Sequence, residues 1–277
     1  MSDWPLPESF ADACGTVRWN RLGARGGRPL VLLHGTPFSS YVWRAVARSL
    51  ARDHQVFVWD MPGYGQSEKY AGQDVSLAAQ GRVFARLLDH WGIENPLVAA
   101  HDFGGAVALR AHLLHGVRYR ALALVDPVAL APWGSPFFRL VRDHAGVFEQ
   151  LPPPLHRALV REYVGSTGGP GLNPRVLDRL VDPWLGESGR SAFYRQIAQA
   201  DQRYTDEMQD RYAGIEVPTL VCWGEDDAWI PVARGRELAG LVPGARWEPI
   251  AHAGHLVQED SPAELTAALL DFFTRLP

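Results

Sequence analysis

Cysteine is nearly missing from this chain: Cys14 and Cys222 are its only two in 277 residues. They stand far apart, so a disulfide framework or a Cys-based zinc site is excluded by count. A surplus of positive charge is missing too, since 27 Lys and Arg face 31 Asp and Glu for a net −4. Nothing in that balance draws the chain to a phosphate backbone or an anionic bilayer, so nucleic acid and membrane are not expected partners. Long apolar runs are absent as well: no stretch approaches the ~18 uninterrupted apolar residues of a membrane span. The opening MSDWPLPESF has neither the positive start nor the apolar stretch of a secretory leader. A cytoplasmic location is the expectation. What remains is 47% hydrophobic and 21% charged, which excludes disordered, collagenous and coiled-coil chains.

What the chain does have is alternation. Val31 to His34 is a short apolar strand running into the loop HGTPFSS, after which Val42, Trp43, Val46 and Leu50 recur at helical spacing. Gln55 to Trp59 reads as a strand, DMPGYGQS as a turn, and Val75 to Trp91 as a helix. Pro96 to Ala100 is a strand meeting HDFGG, followed by a helix over Ala106 to His115 and a strand over Ala121 to Val125. The rhythm returns with strands at Thr219 to Trp223 and Arg246 to Ile250, separated by a helix over Val232 to Leu241. Ser261-Pro262-Ala263-Glu264 reads as a capping box opening a last helix with the stripe Leu265, Leu269, Phe272, Phe273 and Leu276. Strands alternating with helices predict a mostly parallel sheet covered on both faces. The N-terminal VRWNRLGARGGRPL reads as a hairpin strand, a solvated loop and a strand leading into the sheet.

Between the two halves the alternation stops. From about Pro127 to Tyr212 only helical segments occur, around Phe137 to Leu151, Leu155 to Tyr163 and Arg190 to Asp210, broken by PPP at 152 to 154 and GGPG at 168 to 171. The expected organisation is a core of residues 1–127 and 213–277 with a helical insertion, 128–212, resting on the sheet.

The most informative residues are His101-Asp102-Phe103-Gly104-Gly105, between an apolar strand and a helix. A sharp strand-to-helix turn of this kind lifts its central side chain above the carboxyl edge of the sheet. Asp102 occupies that centre, and Asp tolerates the positive φ such a turn imposes. Alone, the segment reads equally well as a glycine-rich turn with an Asp starting a helix. The partners downstream decide between them. Asp226 and Asp227 follow the strand TLVCWG, and His252 and His255 follow the next strand. The order nucleophile, acid, histidine is that of α/β-hydrolases.

HGTP, DMPGYGQS, AHDFGGA, GEDDAWIP and AGHLVQED together resemble the α/β-hydrolase fold family, over essentially the whole chain. An Asp at the elbow resembles its branch of epoxide hydrolases and haloalkane dehalogenases. The resemblance implies an α/β sheet flanked by helices with a helical cap inserted after the sixth strand. It also implies Asp102 as nucleophile, His255 as base and Asp227 as its acid, in preference to His252 and Asp226. Thr36 and Phe103 would form the oxyanion hole. Asp126, where some dehalogenases carry their acid, is taken as structural, as are the turn formers Asp60 and Ser67.

A carboxylate with a reference pKa of ~3.9 is anionic at pH 7 and needs no activation. It suits displacement at saturated carbon; attack on an acyl group would only give an anhydride. The alkyl ester so formed must then be hydrolysed, with His255 as general base. The dehalogenases of the branch hold halide with a Trp after the nucleophile plus an Asn in HGNP or a second Trp from the cap, and this chain has Phe103 and Thr36 at the first two positions. Phe carries no donor. Trp133 or Trp184 could supply one halide contact. An epoxide instead needs a proton donor, typically a cap tyrosine, with Tyr194 the first candidate and Tyr163 the second. The first reading is therefore an epoxide hydrolase-like enzyme on a small apolar substrate. A dehalogenase with an altered halide site and a non-catalytic ligand-binding protein are the alternatives. No metal is expected, because His252 with His255 and His112 with His115 lack further ligands at zinc spacing. No cofactor is called for, and the sequence is silent on oligomeric state.

Overall fold

The structure, a computed structural model, describes residues 3–276, so residues 1, 2 and 277 of the expected core lie outside the described residues. Its strands are β1 (Glu8–Asp12), β2 (Gly15–Leu22), β3 (Arg28–Leu33), β4 (His54–Asp60), β5 (Leu97–His101), β6 (Ala121–Val125), β7 (Thr219–Gly224) and β8 (Arg246–Ile250). They form one sheet in the order β1-β2-β4-β3-β5-β6-β7-β8. From β4 to β8 all pairings are parallel, with registers such as Leu32↔Val58, Leu33↔Ala100 and Val125↔Cys222. Every residue of β5 and β6 is buried. Continuous apolar runs such as LVAAH and ALALV are what a strand covered on both faces requires.

The covering helices are α1 (Arg44–Leu50), α2 (Leu77–Trp91), α3 (Phe103–His115), α10 (Val232–Leu241), α11 (Val257–Asp260) and α12 (Pro262–Thr274). α2 packs on α3 and α1 on α12, while α10 lies against β7 and β8. Amphipathicity follows burial: α2 turns Leu77, Val83, Phe84, Leu87 and Leu88 inward, where Phe84 stacks on Trp59 at 5.7 Å. Ser76 caps this helix by accepting from the Ala79 N–H at 3.2 Å, and Gly92 ends it in the left-handed region. Among the described residues no helix is long and apolar enough to cross a membrane.

Between β6 and β7 stand only helices, here termed the cap: α4 (Pro136–Asp143), α5 (Ala145–Phe148), α6 (Pro153–Gly165), α7 (Pro174–Val181), α8 (Gly186–Ala198) and α9 (Arg203–Gln209). The stretches expected as single helices over Phe137 to Leu151 and Arg190 to Asp210 are each divided, at His144 and between Ala198 and Arg203.

Two local expectations need correction, and one strand was not foreseen. β2 does not pair with the strand that follows it: β4 lies between them, and β2 runs antiparallel to it with Trp19 opposite Trp59. A further strand, β1, hairpins onto β2 at the sheet edge. Its sequence ESFAD has three exposed residues and no apolar alternation to mark it. Ser261 makes no capping bond, its backbone standing at φ −137° and ψ 58°. α12 instead begins on Pro262, whose fixed φ and missing N–H suit the first helical position.

Candidate active site

Asp102 joins β5 to α3 at φ 50° and ψ −120°. Such a conformation costs about 1–3 kcal/mol and persists only where the surroundings enforce it. Here they do: its carbonyl accepts from the Gly105 N–H at 2.9 Å and the Val128 N–H at 3.1 Å, holding the turn between α3 and the chain leaving β6. The carboxylate stands at the N-terminus of a 13-residue helix, where the macrodipole favours negative charge. It also presses on the loop after β3. A Cβ on Gly35 would lie 2.3 Å from Asp102 Oδ1, so only glycine fits at that position. This approach lets the Thr36 N–H donate to Oδ1 at 2.6 Å, leaving Oδ2 facing His255. The Phe103 N–H is the first amide of α3, whose opening N–H groups have no partner within the helix.

His255 follows β8 and is tied to the cap by donating its N–H to the Thr167 carbonyl at 2.9 Å. Its Nδ1 donates to Asp227 Oδ2 at 2.8 Å, and its Nε2 stands 3.4 Å from Asp102 Oδ2. Asp227 is itself oriented: its Oδ1 accepts from the Trp229 and Ile230 N–H groups at 2.7 and 2.9 Å, a turn closed by its own side chain. Burial alone would lower the His255 pKa. The Asp227 and Asp102 carboxylates outweigh it and raise that pKa well above the usual imidazole value, so the ring rests as imidazolium between two anions. Asp226 and His252 are exposed and take no part. Asp60 and Ser67 are buried in their turn, where Asp60 accepts from the Ser40 and Gln66 N–H groups.

Above Asp102 lies a pocket walled by Phe103, Val128, Trp133, Phe138, Tyr163 and Trp229, with Thr36 and Asp102 at its floor. Its free volume is about 30 Å³, room for roughly one or two water molecules. Any ligand larger than that would have to displace side chains on entering. Trp229 and Tyr163, stacked at 4.6 Å, also border an outer apolar depression of about 350 Å³.

The cap candidates fare differently. Tyr194, placed first from the sequence, does not line the pocket: its hydroxyl donates to His156 Nδ1 at 2.9 Å, and His156 Nε2 donates to the Trp184 carbonyl. Tyr163, placed second, does line it, close enough to Asp102 for that charge to raise its pKa beyond what burial does. Trp133 turns its ring to the pocket but donates its indole N–H to Thr205 Oγ1 at 2.8 Å. Trp184 donates to the Pro37 carbonyl at 2.6 Å, Trp229 to Ser166 Oγ at 3.1 Å, and the Thr36 hydroxyl to Gln196 Oε1 at 2.5 Å. Trp229 and Phe138 were not foreseen, and nothing in DAWIP or SPFF marks which aromatic faces a cavity.

Among the described residues one cluster has metal-binding residue types: Asp126, Asp227 and His255 offer ligand atoms within 4.8 Å of one another. Those atoms serve a hydrogen-bond network instead, with His255 Nδ1 on Asp227 and Asp126 Oδ1 accepting from the Gly224 N–H at 2.9 Å.

Residues 28–262 match the family described as alpha/beta hydrolase fold. An alpha/beta hydrolase fold protein from Burkholderia ambifaria is 48% identical with a TM-score of 0.93, covering 97% of this chain and 98% of that one. Epoxide hydrolase A of Mycobacterium tuberculosis is 28% identical over 97% of this chain and 98% of its own. The haloalkane dehalogenase DbeA of Bradyrhizobium elkani shares the fold at a TM-score of 0.81 and 21% identity, over 96% of this chain and 98% of that one.

Proposed function

We propose that this chain, which belongs to the α/β-hydrolase fold family, is a hydrolase of small apolar epoxides working through an ester on Asp102. Asp102 Oδ2 attacks a ring carbon while Oδ1 stays on the Thr36 N–H. The ring C–O bond breaks and its oxygen takes the proton of Tyr163. Burial makes that phenol a weaker acid than usual, yet a departing alkoxide is as basic as hydroxide and takes its proton. Esterification removes one of the two charges that keep His255 protonated, so its pKa falls. The tyrosinate recovers its proton at the imidazolium's expense. Neutral Nε2, with Nδ1 held by Asp227, then takes a proton from water as that water attacks the ester carbon. The oxyanion is held by the N–H groups of Thr36 and Phe103, and its collapse releases the diol with Asp102 an anion and His255 an imidazolium again.

The observation that carries the choice of substrate is the pocket's donor inventory. Tyr163 and Ser135 are the cap residues there with a hydroxyl; the Ser135 oxygen caps α4 by accepting from the Phe138 N–H at 3.1 Å, and Tyr163 is the one whose ring lies near enough to Asp102 to feel its charge. The indole N–H groups of Trp133, Trp184 and Trp229 and the Thr36 hydroxyl are spent within the protein, so a halide would find no indole donor. The 28% identity with an epoxide hydrolase of nearly the same extent supports the reading. A panel of alkyl and aryl epoxides and matching bromoalkanes, read as diol and bromide release, tests it. Diol release that collapses in Tyr163→Phe is expected; bromide release exceeding diol release and indifferent to Tyr163 would overturn it.

A further inference from the structure

Asp126 is a buried carboxyl that the mechanism above does not use. It follows β6 directly, at φ 43° and 0% exposure. Backbone bonds on both sides fix it to the end of β7: its N–H donates to the Cys222 carbonyl at 3.1 Å, and its Oδ1 accepts from the Gly224 N–H at 2.9 Å. Its Oδ2 is buried and has no donor. The carboxyl brings an oxygen within 4.8 Å of ligand atoms of both Asp227 and His255. The three donors that reach Asp227, the Trp229 and Ile230 amides and His255 Nδ1, are all spent on that residue.

The charge count makes full ionisation untenable. Asp102, Asp126 and Asp227 would set three anions around one imidazolium, in a cluster whose members are at most 9% exposed. Like charges in contact and out of water cannot all ionise. One member must hold a proton, and Asp126 is the one whose second oxygen lacks a donor.

We infer that Asp126 carries a proton and donates it to the Asp227 carboxylate, so that the partner of His255 is a hydrogen-bonded acid–carboxylate pair. Asp126 is then a positioning residue. The groups facing it agree: burial raises its pKa most, Asp227 from the loop after β7 raises it further, and His255 from the loop after β8 together with the Gly224 N–H opposes them without prevailing. The Cys222 thiol on β7 is held neutral by its own burial. The arrangement does two things for the reaction. The shared proton orients the Asp227 carboxylate without adding charge. It also limits the pull on His255, so that loss of the Asp102 charge is enough to release the imidazolium proton. With Asp126 ionised, the imidazole would keep a second anion beside it and stay protonated when water needs a base.

The inference rests on the triad of the proposed function but is tested without substrate. The Asp126→Asn carboxamide can accept from Gly224 and donate to Asp227, copying the neutral acid. In ¹⁵N-imidazole NMR, His255 of Asp126→Asn is expected to titrate where it does in the wild type. Asp126→Leu, which strips the donor from Asp227, should move that titration to higher pH. The infrared difference between wild type and Asp126→Asn at neutral pH should contain the carbonyl band of a protonated carboxylic acid. With an epoxide substrate, Asp126→Leu should lose at least about tenfold in kcat, and Asp126→Asn should restore it. A His255 titration displaced to lower pH in Asp126→Asn, or absence of the acid band, overturns the inference. Should Asp126→Leu not fold, the Asn variant and the band decide alone. An unchanged His255 titration in Asp227→Asn would overturn the triad reading itself.

Discussion

Asp102→Asn mimics the electrostatics of the ester state, because a carboxamide, like an alkyl ester, is uncharged and keeps the carbonyl oxygen. The charge removed lies 3.4 Å from His255 Nε2, between side chains 0% and 5% exposed. Two unit charges at that separation attract by about 5 kcal/mol at an effective dielectric of ~20 and by about 1 kcal/mol at that of water. Near-complete burial places the site toward the first figure. Burial itself opposes the imidazolium, so what remains in Asp102→Asn is the single attraction of Asp227 against that penalty. The His255 titration, followed by ¹⁵N NMR of the ring, should therefore move to distinctly lower pH than in the wild type, while turnover is lost. If it moves by less than the ~1 kcal/mol expected in bulk water, the release of the imidazolium proton by ester formation is refuted.

His255→Ala should form the ester but not hydrolyse it, so intact-protein mass spectrometry after mixing with substrate should show an adduct mapping to the peptide of Asp102. An unmodified variant with a verified substrate would argue that His255 acts before the ester forms. Tyr163→Phe should lower epoxide turnover by roughly 10- to 1,000-fold. Tyr194→Phe should instead cost about 1 kcal/mol of stability through the lost bond to His156, seen in a denaturant midpoint, with turnover nearly unchanged. His255 and Asp126 both bind a proton more tightly folded than unfolded. Each then contributes stability that is complete below its unfolded pKa, ~6.5 for imidazole and ~3.9 for the carboxyl, and is lost as pH rises through the raised folded value. Denaturant midpoints against pH should show Asp126→Asn losing less stability than wild type on the alkaline side. Parallel curves would contradict a raised Asp126.

What the sequence determined by itself is what local chemistry and chain order can encode. Apolar runs such as LVAAH and ALALV can only be strands covered on both faces, and their alternation with helical stripes leaves little choice of architecture. The elbow at Asp102 was legible because a strand, a residue tolerant of positive φ and two small residues occur in succession. The loops carrying Asp227 and His255 were legible because loops at the carboxyl ends of parallel strands share one edge of the sheet whatever their separation in the chain. Relations with no local signature were decided only in three dimensions. The β2–β4 pairing joins segments that nothing in either strand connects, and β1 depends on an edge being available. Tyr163 and Tyr194 both lie on helices of mixed polarity, and which hydroxyl reaches the pocket depends on how α6 and α8 rotate when packed. The partners that consume the Trp133, Trp184 and Thr36 donors lie between 72 and 160 residues away in sequence, and Asp126 meets Asp227 across two strands. Strand and helix periodicity record which face of an element is buried, but not what it is buried against, and hydrogen-bond donors are allotted by the latter.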